Sequence, residues 1–264
     1  MEKKHYDYSF TSGEQFHVKL KPDDIGKYVI MPGDPGRCEL IASYLDNPVH
    51  KGTFREYNIY SGYLEGELVT VASSGIGGPS TAILVEELAN LGAEYIIRVG
   101  TCGAIDIDVL GGDVIIPTGA IRFEGTTAQY APVQFPAVPD HELVCYLKQA
   151  AEKLERRYHL GVIQSKDSFY GQHDPSAMPV SAELLAYWDA WKKMGALGSE
   201  MECSTLFIVG QYKKIRTGAV ILALANQERR KLGLDDPQEW DNNISVAVAA
   251  EAFRLLIRAK KKED

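Results

Sequence analysis

No two of the four cysteines in this 264-residue chain stand close together: Cys38, Cys102, Cys145 and Cys203 are scattered, with no C-x-x-C pair. That excludes a compact disulfide framework, and the expectation is free thiols in a reducing compartment, the cytoplasm. The six histidines are equally dispersed and H-E-x-x-H is absent, so neither a structural nor a catalytic zinc is expected. Long apolar runs are missing as well. The longest, Ala219 to Ala225, falls far short of the ~20 residues a bilayer span needs. The first residues, MEKKHYDYSF, carry charge but no apolar h-region, so no secretion signal is expected. Positive charge is scarce: 28 Lys and Arg against 36 Asp and Glu leave a formal net charge of −8, which excludes a general nucleic-acid binder. A small anion needs only a few local arginines and is not excluded. The stretch SSGIGGPST fails G-x-G-x-x-G because Pro79 follows the second glycine pair; it reads as a strand-to-helix turn with Ser80 or Thr81 near the cap.

What is present is an alternation of apolar strands and amphipathic helices. Tyr28–Met31 reads as a strand ending in PGDPGR, followed by a helix from Pro35 to Leu45. TFREYNIYSGYLEGELVTVASS reads as a hairpin turning at Glu65-Gly66, and GGPSTAILVEELANLG as a helix with glycine at both ends. EYIIRVG is a strand, TCGAID a glycine-rich turn, GDVIIPTGAIRF a strand and Asp140–Arg157 a helix. LGVIQSKDSF (strand), AELLAYWDAWKKMG (helix), a helix from about Glu202, GAVILALAN (strand) and ISVAVAAEAFRLLIRAKKK (helix) complete the order. No linker and no repeat divides the chain, and 45% hydrophobic residues can fill one sizeable core. The pattern predicts an α/β layered fold with a mainly parallel sheet, and ligands then gather beyond the carboxyl ends of strands. Residues 1–264 are expected to form a single domain, with 1–15 a loosely ordered N-terminal extension.

Four segments carry candidate chemistry, each with a plain structural alternative. In PGDPGR, Gly33 and Gly36 allow close backbone approach and Arg37 offers a charged fork, which suits phosphate; a simple turn explains the same residues. In IIRVGTCG, Arg98 interrupts an apolar run, and with Thr101 and the glycines it can bind an oxyanion; a salt bridge to Asp106 or Asp113 is the alternative. In GSEMECST, Glu200 and Glu202 flank Met201 just before the apolar run Leu206–Val209. A carboxylate accepts two vicinal hydroxyls at once, so Glu202 can hold a ribose diol with Met201 against the sugar; otherwise Glu202 simply favours a first helical turn. In DSFYGQHD, Phe169 can stack on a flat base and Gln172 can read its edge; core plus surface loop is the alternative.

Taken together, MPGDPGR, FREYN, SSGIGGPSTAILVEELANLGAEYIIRVGTCGAI, APVQFPAVPD, DSFYGQ and SEMECSTLF resemble the nucleoside phosphorylase-I family, nearest its uridine phosphorylase branch, in order and spacing from about Phe16 to the closing helix. The resemblance implies a single-domain, three-layer α/β/α fold with a mixed central sheet. It implies reversible phosphorolysis of a pyrimidine nucleoside, uridine foremost, to ribose-1-phosphate and free base. A nucleosidase, a phosphorylase acting on a different nucleoside and a weakly catalytic nucleoside-binding paralogue are the alternatives. By the same resemblance Gly33, Arg37, Arg98 and Thr101 match the phosphate site, and Arg55 matches an arginine reaching the neighbouring subunit's phosphate. His17 matches a histidine that crosses to the ribose 5′-hydroxyl; Met201 and Glu202 match the ribose clamp, and Phe169 and Gln172 the base contacts. Arg98, Glu202 and Gln172 would carry the catalysis. Glu56, Ile76 and Ser80 match a monovalent-cation site, potassium in kind, at the dimer interface of some members. No cofactor is implied beyond inorganic phosphate as co-substrate, and no nucleic-acid or membrane partner. The minimal active unit would be a homodimer within a homohexamer.

The departures concern the base. The family pattern places a proline before the Gly-Gln pair and an arginine two residues after it; here Tyr170 joins Gly171 directly and Asp174 occupies the arginine's place. After the late strand the chain has Asn226-Gln227 where the family has Asn-Arg, with Arg229 and Arg230 further on, and Cys102 replaces a threonine. Near Asn226 the hexameric purine phosphorylases carry an aspartate, and its absence here disfavours their mechanism.

Overall fold

The computed structural model describes residues 13–263. The first twelve residues of the expected N-terminal extension lie outside the described residues. Tyr28–Pro32 is apolar throughout, and strand β1 forms there with every residue buried, as a strand covered on both faces must be. Its side chains alternate between two cores: Val29 and Met31 enter one, Tyr28 and Ile30 the other. β1 runs parallel between β4 (Glu67–Ala72) and β5 (Tyr95–Ala104). Outside β4 lie β3 (Tyr57–Leu64) and the edge strand β2 (Asp46–Phe54), each antiparallel to its neighbour. The β3–β4 turn falls at Glu65-Gly66 as predicted; φ values of 51° and 78° there match the strand twist.

Beyond β5 the sheet closes on itself. β5 pairs with β9 (Arg216–Asn226) and with the short β8 (Gly198–Glu200). β6 (Val114–Phe123) pairs with β9 and with β7 (Tyr158–Lys166), and β7 pairs with β8. These five strands form a ring, and parallel and antiparallel pairs mix along the nine-stranded sheet. Helices cover both faces. α2 (Gly78–Asn90) packs with α6 (Cys203–Lys213) on one side; α1 (Cys38–Ala42), α3 (His141–Lys153) and α8 (Asn243–Glu263) cover the other. The architecture is the expected three-layer α/β/α with a mixed central sheet. No helix among the described residues is long and apolar enough to cross a membrane.

Four local expectations change. TCGAID is not a turn: β5 continues to Ala104 because β9 pairs with it as far as Asn226, so Arg98 sits inside the strand rather than at its end. β2 escaped the pattern because it is mostly exposed and contains Pro48, leaving no apolar alternation. The helix expected from Pro35 to Leu45 is a 3-10 turn at Pro35–Arg37 followed by α1, which stops at Ala42. The helix expected over Asp140–Arg157 ends at Lys153, with Asp140 capping its start by accepting from Leu143 N at 3.1 Å. The segment after Lys166 forms α4 (Phe169–His173) and then α5 (Ser181–Lys193), and α7 (Gln227–Lys231) follows β9.

Candidate active site

The ends of β1, β5, β7 and β8 converge on a cleft of about 640 Å³. Gly33, Arg37, Ile76, Arg98, Thr101, Phe169, Met201 and Glu202 all line it. Gln172 and Asp174 line an adjoining cavity of about 290 Å³, which shares Lys166 and His173 with the cleft. Four expected residues stand away from the cleft lining. Arg55 is exposed in the β2–β3 turn with φ 57°. His17 is anchored on α2, where Glu87 accepts from its Nδ1 at 2.6 Å and from its backbone N at 3.0 Å. Glu56 and Ser80 pair with each other, the serine Oγ donating to Glu56 Oε1 at 2.7 Å.

Arg98 organises the cleft. Its side chain is 3% exposed, and the adjacent Gly100 makes the room: a Cβ there would meet Arg98 Nη2 at 2.8 Å. Neither Asp106 nor Asp113 is its partner. Asp113 takes His159 Nε2 at 2.9 Å, while Asp106 accepts from Asp108 N at 2.9 Å. Arg98 Nε donates instead to Glu200 Oε2 at 3.0 Å, and its Nη2 donates to Glu202 Oε2. Burial works against the guanidinium charge, but Glu202 and Glu200 outweigh it and hold Arg98 fully protonated. Burial and the neighbouring Glu200 push the Glu202 carboxyl above the usual carboxylate range, with Arg98 opposing. Glu202 also accepts from Gly77 N at 2.6 Å. It precedes α6 as its cap residue without making a capping bond, its carboxylate being held by Arg98 and Gly77 instead.

Two cationic donors make no hydrogen bond, although Asp34 Oδ2 lies 3.9 Å from Arg37 Nε as an ion pair. Arg98 Nη1, which lies beside Gly33, and Arg37 Nε are both buried and have no hydrogen-bond partner. A buried N–H left unmade costs about 1–3 kcal/mol, more on a charged group, so such donors call for an anion. Burial lowers the Arg37 pKa and Arg98 adds to that, with the Asp34 carboxylate opposing; a bound anion would oppose it further. The Glu202 carboxylate has accepted two bonds and has lone pairs left for hydroxyls. Burial pushes the Cys102 thiol up to about 12, so at neutral pH it is an uncharged part of the cleft wall.

The junction of the cleft and the adjoining cavity holds what the motif reading missed. Lys166, at the end of β7, is 4% exposed, and burial lowers its pKa below the ordinary lysine value. Its Nζ donates to Ser199 Oγ at 2.8 Å; Ser199 in turn donates to Gln172 Oε1 at 2.6 Å, with Gln164 on the same hydroxyl. The arginines downstream do not substitute for the one that Asp174 replaces. Arg229 donates to the Asp235 and Ile107 carbonyls, and Arg230 pairs with Asp236. Asn226 is consumed by four bonds to the backbone of Asp106, Val109, Glu228 and Arg229. The signal that could have found Lys166 is akin to the one that found Arg98: a cation within a segment that reads as a strand, here in GVIQSKD.

A family model described as Phosphorylase superfamily matches residues 27–259. The chain belongs to the phosphorylase superfamily. This phosphorylase is 54% identical to uridine phosphorylase from Treponema pallidum (strain Nichols), over 94% of this chain and 96% of that one. It is 40% identical to uridine phosphorylase from Thermococcus kodakarensis, over 96% and 90% of the two chains. It is also 36% identical to guanosine phosphorylase from Halorubrum lacusprofundi, over 89% and 95%. Among the described residues of this phosphorylase no group of three or more His, Cys, Asp or Glu side chains is arranged to hold a metal ion.

Proposed function

We propose that this phosphorylase catalyses the reversible phosphorolysis of a pyrimidine nucleoside, uridine foremost, giving ribose-1-phosphate and the free base. The observation that carries the reading is the pair of buried guanidinium donors without a hydrogen-bond acceptor, Arg98 Nη1 and Arg37 Nε, in the cleft that Glu202 and Met201 also line. Water needs no cationic cradle, so a hydrolytic nucleosidase is the poorer fit. Arg37, Arg98 and Thr101 hold phosphate against C1′. Glu202 accepts the ribose hydroxyls and Met201 covers the sugar face. A phosphate oxygen bonds to C1′ as the C1′–N1 bond breaks, and the electron pair leaves with the base. Phosphate charge stabilises the oxocarbenium character at C1′, while Lys166 and Gln172 stabilise the negative charge on the pyrimidine carbonyls. Lys166 thereby supplies the cation that Asp174 removes from the usual position. Base release assayed with and without inorganic phosphate tests the reaction: uracil and ribose-1-phosphate are expected only with phosphate, and an equal rate without it would overturn the proposal.

The active unit is a homodimer, within a hexamer and in the cytoplasm. Arg55 and His17 complete the partner's site, which accounts for their standing away from their own cleft. A potassium ion fits near Glu56, Ser80 and Ile76, because one carboxylate and a hydroxyl form an all-oxygen set of low charge, too weak for a divalent ion. Mixing Arg55→Ala with Glu202→Gln subunits checks the sharing. A hybrid dimer has one intact and one doubly damaged site, so activity after verified exchange should recover to about a quarter of wild type. Recovery no greater than the sum of the separate variants would count against a shared site.

A further inference from the structure

Glu200 carries no role in the reading above, yet it is the most completely bonded side chain around Arg98. Its Oε2 accepts from Arg98 Nε at 3.0 Å and from Glu202 N at 2.8 Å. Its Oε1 accepts from Ser165 Oγ at 2.5 Å and from Cys203 N at 3.0 Å. Ser165 is itself fixed, its hydroxyl accepting from Ser204 N at 2.9 Å. The carboxylate is 3% exposed, and its lone pairs are filled by donors from β5, β7 and the start of α6. Saturated in this way, it has nothing left for a sugar or an anion.

A guanidinium is planar and offers its five N–H groups in a fixed fork. With Nε on Glu200 and Nη2 on Glu202, the group left over is Nη1, the one turned to Gly33 and the cleft. Without Glu200, Arg98 and Glu202 would be two opposite charges alone in a buried site. A bidentate pair between them would then be the natural arrangement, drawing donors away from the cleft. We propose that Glu200 is the positioning residue of the phosphate site: it holds the Nε edge of Arg98 so that Nη1 faces the anion and Glu202 stays available to the ribose. This rests on the phosphorolysis reading for the identity of the anion.

Glutamine is the informative replacement. Its amide oxygen can still accept from Arg98 Nε, but its NH₂ takes the place of the oxygen that accepts the shorter of the two Cys203 N–H contacts, donor against donor, so the group must shift. Inorganic phosphate is titrated calorimetrically into the wild type, Glu200→Gln, Ser165→Ala, Arg98→Lys and the Arg98→Lys/Glu200→Gln double variant, with phosphorolysis kinetics in parallel. Glu200→Gln is expected to weaken phosphate binding roughly tenfold or more and to raise the phosphate KM alike, with the nucleoside KM moved by less than about twofold. Ser165→Ala removes one bond to Glu200 and none to Arg98, so the same shift is expected at smaller size; it also serves if Glu200→Gln does not fold. Arg98→Lys has no guanidinium to orient, so adding Glu200→Gln there should change the phosphate Kd by less than about twofold. Unchanged phosphate Kd in the folded variants overturns the proposal, as does an equal rise in both KM values or a fully additive double variant. Wild type that binds phosphate but releases no base refutes phosphorolysis while the Kd comparison still decides the role of Glu200; wild type that does not bind phosphate overturns both.

Discussion

Arg98→Ala loses phosphate-dependent turnover, with kcat/KM for phosphate expected to fall by roughly 10²–10³. The arginine offers its unpaired Nη1 to the anion, and the same charge stabilises the transition state, so both the phosphate KM and kcat should suffer. Steady-state kinetics at varied phosphate measure it; unchanged phosphate kinetics in a folded variant would remove Arg98 from the site. The variant should also be less stable, by about 3–5 kcal/mol, because Glu200 and Glu202 are left buried without their cation. The pH dependence of that loss has a definite sign. Burial and Glu200 already hold the Glu202 carboxyl above its usual range, and without Arg98 it rises further. A carboxyl raised in the folded state favours folding below its unfolded pKa, and that stability is lost as pH rises through the folded value. Thermal unfolding should therefore show the Tm of Arg98→Ala falling relative to wild type as pH rises above the ordinary carboxylate range.

Lys166→Met should cut kcat by on the order of 10² while leaving the phosphate KM nearly unchanged, because the lysine serves the departing base and not the anion. Methionine keeps much of the length and removes the charge. The pH profile separates this role from simple packing. Burial lowers the Lys166 pKa, against the opposing charge of Glu200, so the wild-type rate should fall on the alkaline side as the lysine deprotonates below its ordinary 10.5. That limb should be absent from Lys166→Met. Stability moves the other way. A lysine with a depressed folded pKa penalises folding fully below that pKa, and the penalty disappears as pH rises towards the unfolded value. At neutral pH, Lys166→Met should therefore unfold at a higher temperature than wild type. A wild-type rate with no alkaline limb, or a variant that keeps full kcat, would place the base's cation elsewhere.

Much of the site could be read from the chain because its residues sit in short, punctuated motifs. Glycines and a proline around Gly33–Arg37 announce a turn where backbone and ligand approach closely, and an arginine inside IIRVG is conspicuous against its apolar neighbours. Met201 and Glu202 are marked in the same way by standing just ahead of a buried helix. Lys166 and Gln164 were harder to see, because a polar residue in a half-exposed strand such as β7 usually faces water. Whether it does depends on which face the ring of β5, β9, β6, β7 and β8 encloses. The edge strand β2 was invisible for the opposite reason: it buries too little to leave a hydrophobic period.

Local spacing and residue chemistry by themselves determined the layered α/β pattern and the run of strand ends that would gather polar groups; the three-layer arrangement and the candidate phosphate and ribose residues came from the family resemblance of the joined motifs. The pattern and the strand ends follow from short-range rules: apolar period, turn chemistry, and a charge placed where burial is expected. Only the tertiary structure decided the partners of those charges. Arg98 answers to Glu200 and Glu202, more than a hundred positions away, and not to the nearer Asp106 or Asp113. Lys166 rather than Arg229 or Arg230 is the cation that lines both the cleft and the adjoining cavity. The reason is physical: a buried ion needs its counter-ion within a few ångströms in space, and sheet closure sets that distance whatever the separation along the chain.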